Sequence, residues 1–231
     1  MQEIVGIDRA TDAPVQLYCY SSDASQIRGT PDCVVRPQDT AQVSQILRFA
    51  NKYEIPVTAR GAGTGLAGGA VALEGGIVLD LLGMDRRLDI DINNLQVAVE
   101  PGIIHSKLNE ALEAEGFFFP PDPGSSAMCT IGGLIANNGS GMRSVKYGTT
   151  KSYVLDLEVV MADGSVINTG SKTLKSSAGY DLTRLMVNSE GTLGVITKAV
   201  LKMLPLQKVR TVVLVKVLRC HLFLVIHPAL K

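Results

Sequence analysis

Apolar residues recur at helical spacing between residues 43 and 50 and again between residues 104 and 112. Asp39 or Thr40 stands immediately before the first of these stretches and can cap a helix there. A shorter apolar stretch at residues 182–186 has the same spacing. The chain is therefore predicted to contain two amphipathic helices in its first half and a short helix near residue 184.

Shorter apolar runs bounded by turn residues predict strands. They lie at residues 55–59, 77–81, 88–92, 95–99, 154–161, 165–168 and 194–203. Asn93-Asn94 and Asp163-Gly164 each separate two of these runs and predict β-hairpins. Together these elements predict an α+β fold with two packed lobes, roughly residues 31–120 and 121–204.

A glycine-rich stretch follows the first predicted strand, Ala59-Arg60-Gly61-Ala62-Gly63-Thr64-Gly65-Leu66-Ala67-Gly68-Gly69. Closely spaced glycines expose backbone N–H groups and permit positive φ, which a concave anion-binding site requires. The stretch contains a G-x-G-x-x-G pattern, but residues 70–76 leave no room for the helix that a Rossmann site needs. No Gly-Lys-Ser/Thr follows, so a P-loop is also excluded. We expect a phosphate-binding loop between strands.

Composition narrows the classes of function. Lys and Arg total 22, as do Asp and Glu, which argues against a nucleic-acid surface or a basic membrane patch. The four cysteines and three histidines show no metal-binding spacing, so we expect no metal site and a reducing, cytoplasmic setting. Charged residues interrupt the apolar C-terminal run, so no transmembrane segment is expected.

Glycine-containing motifs occur in a fixed order along the chain. They are the glycine loop, Pro121-Asp122-Pro123-Gly124-Ser125, Thr130-Ile131-Gly132-Gly133 with Asn137-Asn138-Gly139-Ser140, and Glu190-Gly191-Thr192-Leu193-Gly194-Val195-Ile196. In this order they resemble the FAD-binding domain of the vanillyl-alcohol-oxidase-like, PCMH-type flavoproteins, from about Tyr20 to Pro205. Within that superfamily the chain is most similar to FAD-linked 2-hydroxyacid dehydrogenases of the glycolate oxidase and D-lactate dehydrogenase type.

The resemblance implies that residues 59–65 and 124–130 wrap the pyrophosphate and the flavin, while residues 137–140 and 190–196 hold the flavin ring and the adenylate half. The implied cofactor-binding residues are Ala59, Arg60, Gly61, Ala62, Gly63, Thr64, Gly65, Gly124, Ser125, Thr130, Gly133, Asn137, Asn138, Gly139, Ser140, Glu190, Gly191, Thr192, Leu193, Gly194, Val195 and Ile196. No histidine stands beside the glycine loop, where covalent family members carry their flavin-linking residue. We therefore expect non-covalent FAD.

The resemblance also implies a division of the chain. Residues 1–30 are expected to form an N-terminal arm, residues 31–205 the PCMH-type FAD-binding domain, and residues 206–231 the start of a truncated cap domain or an aberrant tail. Relatives carry their catalytic residues in the cap domain, so we assign no catalytic residue here.

The implied function is the FAD-binding domain of an oxidoreductase that oxidises a 2-hydroxyacid of the glycolate or D-lactate type, incomplete for catalysis alone. The alternative is a non-catalytic flavin-binding module or subunit that acts in a complex. A weaker alternative is a nicotinamide-dependent reductase of the UDP-sugar type. The resemblance further implies flavin-like and iron–sulfur partner subunits, and a cytoplasmic location peripheral to the inner face of the membrane through those partners.

Overall fold

The computed structural model describes residues 1–173, 175 and 177–207. The helices in this part are α1 (Gln2–Val5), α2 (Pro14–Cys19), α3 (Thr40–Lys52), α4 (His105–Glu113), α5 (Ile131–Ala136), α6 (Ser144–Tyr147) and α7 (Leu182–Met186), with 3₁₀ turns at Ile7–Arg9 and Thr150–Ser152. The strands are β1 (Ala10–Thr11), β2 (Cys33–Val35), β3 (Val57–Arg60), β4 (Ile77–Asp80), β5 (Arg87–Asp91), β6 (Gln96–Val99), β7 (Phe117–Phe118), β8 (Val154–Val160), β9 (Val166–Asn168), β10 (Val195–Lys202) and β11 (Leu204–Pro205). The predicted α+β fold is confirmed. Most of the expected cap start or tail, residues 208–231, lies outside the described residues.

The first sheet has the strand order β1-β2-β4-β3, and β2, β4 and β3 run parallel. Helix α3 connects β2 to β3, and Asp39 caps it by accepting a hydrogen bond from the N–H of Gln42 at 2.9 Å. The apolar face predicted for this helix packs against β4, where Ile77 and Leu79 are buried. Strands β3 and β4 are joined by residues 61–76, which form a loop without a helix, as the sequence predicted.

The second sheet is antiparallel, in the order β5-β6-β10-β8-β9. Both predicted hairpins are present in it, β5–β6 and β8–β9. Helices α4 and α5 cover one face, and their buried leucines and isoleucines form a core with β6, β8 and β10. This sheet therefore has one apolar face built from strands and helices that are far apart in sequence.

Helix α3 lies between the two sheets. Its first residue, Thr40, donates a hydrogen bond to Glu158 Oε1 on β8 at 2.6 Å, and Ser44 donates to the carbonyl of Gly164 at 2.5 Å. Val160 and Val195 of the second sheet belong to the apolar core around α3. The two sheets are thus packed together through one helix.

Sheet membership divides the chain earlier than residue 120. Strand β6 pairs with β5 on one side and with β10 on the other, so β5 and β6 belong to the antiparallel sheet and not to the parallel one. We accordingly propose that the two lobes meet between Asp80 and Arg87. None of the described helices is long and apolar enough to cross a membrane.

Candidate functional site

A cavity of about 440 Å³ opens beside the loop that follows β3, at the carboxyl end of the parallel strands. Of the residues expected to bind the cofactor, those that line it are Ala59, Arg60, Gly61, Ala62, Gly63, Thr64, Gly65, Ser125, Thr130, Gly133, Asn137, Gly139, Glu190, Gly191, Gly194, Val195 and Ile196. The carboxyl ends of parallel strands are a common position for ligand sites in sheets of this kind. All four glycine-containing motifs therefore reach one cavity.

The glycine loop contributes backbone donors to this cavity. Among the described residues, none accepts a hydrogen bond from the backbone N–H groups of residues 61–65. Gly63 has a φ of 67°, in the left-handed region that favours glycine. Backbone N–H groups without a protein partner, on a concave surface, suit an anionic ligand.

Arg60 holds the glycine loop from beneath. Its side chain is buried, with 8% of the residue exposed, and its guanidinium donates hydrogen bonds to the carbonyls of Ala70 at 2.9 Å and Ser22 at 2.8 Å. The same group lies 5.4 Å from the centroid of the Tyr20 ring. In the structure its partners are two backbone carbonyls and a ring, so Arg60 shapes the loop.

Tyr20 is itself fixed by a charged group of the parallel sheet. Its hydroxyl donates a hydrogen bond to Asp80 Oδ2 at 2.6 Å, and Arg36 lies 3.5 Å from the same oxygen. Burial, reinforced by the hydrogen bond to Asp80, raises the pKa of Tyr20. The phenol therefore stays protonated and remains a donor.

Helix α5 forms the opposite wall. Thr130 caps it by accepting a hydrogen bond from the N–H of Gly133 at 3.2 Å. A Cβ on Gly61 would collide with the Thr130 hydroxyl, so the glycine loop and the start of α5 are in close contact. Leu134 of α5 adds an apolar surface to the cavity.

The fourth motif reaches the cavity through backbone hydrogen bonds to α5. The N–H groups of Asn188 and Glu190 donate to the carbonyls of Ile135 at 3.2 Å and Ala136 at 3.0 Å. Glu190 and Gly191 both have positive φ, so the chain turns sharply before it enters β10. This turn brings Val195 and Ile196 to the cavity wall.

His105 supports the loop that carries the second motif. Only 2% of this residue is exposed. Its Nε2–H donates to the carbonyl of Pro121 at 2.7 Å, and its Nδ1 accepts a hydrogen bond from the Ser126 hydroxyl at 2.7 Å. Burial lowers the pKa of His105, outweighing the opposing effects of the Pro121 carbonyl and Asp122. A neutral imidazole therefore fixes the loop from which Pro123 and Ser125 reach the cavity.

Cys129 is a buried residue in the cavity wall. Burial raises the pKa of its thiol, which is consequently neutral near pH 7. Within residues 1–173, 175 and 177–207, no group of three or more His, Cys, Asp or Glu side chains is placed to hold a metal ion.

Some of the expected cofactor-binding residues do not line this cavity. They are Gly124, Asn138, Ser140, Thr192 and Leu193. Asn138 instead accepts a hydrogen bond from the N–H of Lys151 at 2.9 Å, and Thr192 donates to the carbonyl of Ser189 at 2.6 Å. The Asn138 side chain therefore links its segment to the 3₁₀ turn at Thr150–Ser152, and the Thr192 side chain stabilises a local turn.

The cavity also has lining residues that sequence reasoning did not assign to it. They are Asp23, Leu66, Ala67, Gly69, Ala70, Leu81, Pro101, Pro123, Gly132, Leu134 and Ala136, whereas Cys129 lines the cavity from within the assigned residues 124–130. Most of them are neighbours of predicted residues along the chain, so wider windows around each motif would have included them. Asp23 is different, because it belongs to the segment treated as an N-terminal arm.

These residues fit FAD. The unpaired N–H groups of residues 61–65 can bind a diphosphate, and the hydroxyls of Ser125 and Thr130 add further donors. Leu134 and Ile196 offer apolar contact to a ring system. The cavity volume falls within the range typical of cofactor sites.

Comparisons with known proteins point to the same cofactor. A family model described as an FAD binding domain matches residues 31–170. The chain is 45% identical over 204 residues to glycolate oxidase subunit GlcD of Bacillus subtilis, covering 88% of this chain and 43% of that protein. It is 49% identical over 179 residues to a D-lactate dehydrogenase of Archaeoglobus fulgidus, covering 78% of this chain and 40% of that protein.

The fold has a solved counterpart. An alkyldihydroxyacetonephosphate synthase structure superimposes with a TM-score of 0.78 and 25% identity, covering 88% of this chain and 39% of the other. The chain thus spans less than half the length of each of these relatives. Because the family match extends over more than half of the chain and includes three of the four motifs that line the cavity, the chain belongs to the FAD-binding domain family of PCMH-type flavoproteins, with FAD as its cofactor.

Proposed function

We propose that this chain is the FAD-binding domain of an oxidoreductase that oxidises a 2-hydroxyacid of the glycolate or D-lactate type. The observation that carries the proposal is the cavity itself, in which four separate motifs meet around unpaired backbone N–H groups. The similarity to relatives named glycolate oxidase subunit and D-lactate dehydrogenase supports the choice of substrate class.

The residues of the chain have distinct tasks in this proposal. Residues 61–65 bind the diphosphate through backbone N–H groups, and the Thr130 hydroxyl adds a donor from the opposite wall. Leu134 and Ile196 exclude water from the ring faces. FAD, when bound, accepts the hydride equivalent that leaves the α-carbon of the hydroxyacid.

The described cavity wall holds no histidine that could take up the hydroxyl proton of the substrate. Its described titratable residues are Asp23, Arg60, Cys129 and Glu190. Arg60 is bound to two carbonyls, and Cys129 is a neutral thiol. We therefore propose that a region outside the described residues supplies the base, and that the chain alone turns over slowly.

Binding of FAD is proposed to be non-covalent. His105, the histidine within the described residues, lies behind the second-motif loop and does not line the cavity. The neutral state of the Cys129 thiol also disfavours attack on the flavin. We further propose a cytoplasmic protein that meets partner subunits, of flavin-like and iron–sulfur type, at the inner face of the membrane.

The alternative is a non-catalytic flavin-binding module in a complex. It is favoured by apolar side chains that are almost fully exposed near α6, Met142 at 91% and Val145 at 101%. Exposed apolar residues of this kind suit a surface that another domain or subunit covers.

The test begins with the absorbance spectrum of the purified chain after incubation with FAD and removal of free cofactor. A flavin spectrum that moves into the supernatant after acid precipitation supports non-covalent binding, whereas flavin in the pellet contradicts it. Anaerobic addition of D-lactate or glycolate follows, with L-lactate as the control. Slow bleaching by the D-acid or glycolate on prolonged incubation supports the oxidoreductase, and fast repeated turnover contradicts the proposal that the base lies elsewhere. Bound flavin that no 2-hydroxyacid bleaches even on prolonged incubation favours the non-catalytic module.

A further inference from the structure

The segment from Tyr20 to Ser25 is packed directly on the glycine loop. The N–H of Ala24 donates to the carbonyl of Gly63 at 3.1 Å, and Arg60 donates to the carbonyl of Ser22 at 2.8 Å. This segment precedes the region matched by the family model, which begins at residue 31. By its contacts, however, it is part of the cavity and not a peripheral arm.

Asp23 lies in this segment and lines the cavity. Its Oδ1 accepts hydrogen bonds from the N–H and the hydroxyl of Ser25, at 2.8 and 2.5 Å. Its Oδ2 is shielded from solvent and has no hydrogen-bond partner among the described residues. A buried carboxylate oxygen without a donor is unfavourable, and native proteins seldom retain one without a partner from outside the chain.

Arg60 does not supply the missing donor. Its guanidinium is directed to the carbonyls of Ala70 and Ser22, although the second of these belongs to the residue next to Asp23. Oδ2 of Asp23 therefore lacks a hydrogen-bond donor from the described part of the chain.

We propose that Asp23 is an FAD-binding residue whose Oδ2 accepts a hydrogen bond from a sugar hydroxyl next to the diphosphate. The proposal rests on the proposed binding of FAD in this cavity. The diphosphate offers no donor to a carboxylate, and at short range it repels one. The ribityl and ribose hydroxyls flank the diphosphate and are donors. The contact between Ala24 and Gly63 keeps Asp23 beside the loop that would bind the diphosphate.

The decisive variant is Asp23→Asn, because it has the same shape and changes only the charge and one acceptor. The N–H of Ser25 needs an acceptor, so the amide oxygen stays on Ser25 and the amide nitrogen replaces Oδ2. We expect the dissociation constant for FAD, measured by flavin fluorescence, to rise about tenfold or more, because at best a neutral contact from the amide N–H to the hydroxyl oxygen replaces a charge-assisted hydrogen bond.

The sign of the change distinguishes the proposal from its electrostatic rival. If Asp23 were a bystander that only repels the diphosphate, removing its charge would tighten FAD binding. Tighter or unchanged binding by Asp23→Asn therefore overturns the proposal. Asp12→Asn is the matched control, because Asp12 is exposed, lies on the same N-terminal region and does not line the cavity.

A second variant, Asp23→Ser, protects the test against misfolding. A serine hydroxyl can still accept from the N–H of Ser25 in a local turn, but it provides no second oxygen. In the absence of FAD, both variants should have the same free energy of unfolding as the Asp12→Asn control. Both should bind FAD more weakly than that control. Loss of folding in the absence of FAD contradicts a ligand role and indicates a structural one. Failure of the unaltered chain to bind FAD overturns the proposed function as well, whereas binding that neither variant weakens overturns only the role of Asp23.

Discussion

The two walls of the cavity present their groups in opposite ways. On the parallel-sheet side, residues 61–65 have no regular structure, and their backbone N–H groups have no acceptor among the described residues. On the antiparallel-sheet side, the backbone groups at both ends of helix α5 have partners, its first turn is capped by Thr130, and it offers mainly apolar side chains and hydroxyls. One wall is built to bind charge and the other to pack against a ring.

The two walls are also stabilised by different kinds of contact. The glycine loop depends on a side chain beneath it, Arg60, that bonds carbonyls on either side. The opposite wall depends on ordinary helix capping and on a loop supported by His105. A loop without internal hydrogen bonds needs such external support, because its conformation is otherwise one of many. Substitutions on the two walls should therefore differ in how they change the free energy of unfolding and the affinity for FAD.

The largest effect is expected for Arg60→Lys. A lysine is a single point donor and cannot bridge the carbonyls of Ala70 and Ser22 as the guanidinium does. Leaving buried groups without partners should lower the free energy of unfolding by about 2 to 4 kcal/mol. FAD affinity should fall more than tenfold. Urea unfolding and FAD titration measure both quantities, with Arg87→Lys on the exposed end of β5 as the control. Wild-type FAD affinity in Arg60→Lys would show that the loop needs no such support.

A pair of alanine substitutions within the glycine loop separates folding from binding. Gly61→Ala places a Cβ against the Thr130 hydroxyl and should lower the free energy of unfolding by about 1 to 3 kcal/mol. Gly65→Ala meets no atom closer than Asn137 Nδ2 at 3.9 Å, so stability should stay the same or rise slightly. Its FAD affinity should nevertheless fall about tenfold, because the added methyl group crowds the binding loop. Thermal unfolding with and without FAD tests both variants. Equal free energies of unfolding for Gly61→Ala and Gly65→Ala would contradict the close contact between Gly61 and Thr130.

Because of His105, the free energy of unfolding should fall at acidic pH. Its pKa in the folded chain lies below the ordinary value of 6.5, so above that value the imidazole is neutral in both states. As the pH falls below 6.5, the unfolded chain takes up a proton that the folded chain resists, and stability is lost. The loss should approach about 1.4 kcal/mol per pH unit until the lowered pKa is reached. Urea unfolding at pH 7.5, 6.5 and 5.5 measures it, and His105→Gln should flatten the dependence. An identical slope in that variant would assign the acid sensitivity to other groups.

The smallest effects are expected for the helix caps. Asp39→Ala removes the cap of α3, and Thr130→Val removes the cap of α5. Each should lower the free energy of unfolding by about 1 kcal/mol. Only Thr130→Val should also weaken FAD binding, because Thr130 lines the cavity while Asp39 does not. Chemical unfolding and FAD titration of both variants make the comparison. Equal FAD affinity in the two variants would show that the Thr130 hydroxyl does not bind FAD.

The sequence determined the local features of this protein. Helix α3 with its Asp39 cap and the hairpins at Asn93-Asn94 and Asp163-Gly164 follow from capping, periodicity and turn chemistry, which act between near neighbours. The absence of a helix after the glycine loop could likewise be predicted, because too few residues separate the loop from β4.

Only the tertiary structure decided which of these groups meet. It assigned β5 and β6 to the second sheet, buried His105 and turned Arg60 toward two carbonyls. It also brought Asp23 from the N-terminal segment to the cavity wall, while Gly124 and Leu193 lie off that wall. These outcomes depend on contacts between residues far apart in the chain, and no local pattern encodes which distant strand a hairpin pairs with or whether a single side chain is buried.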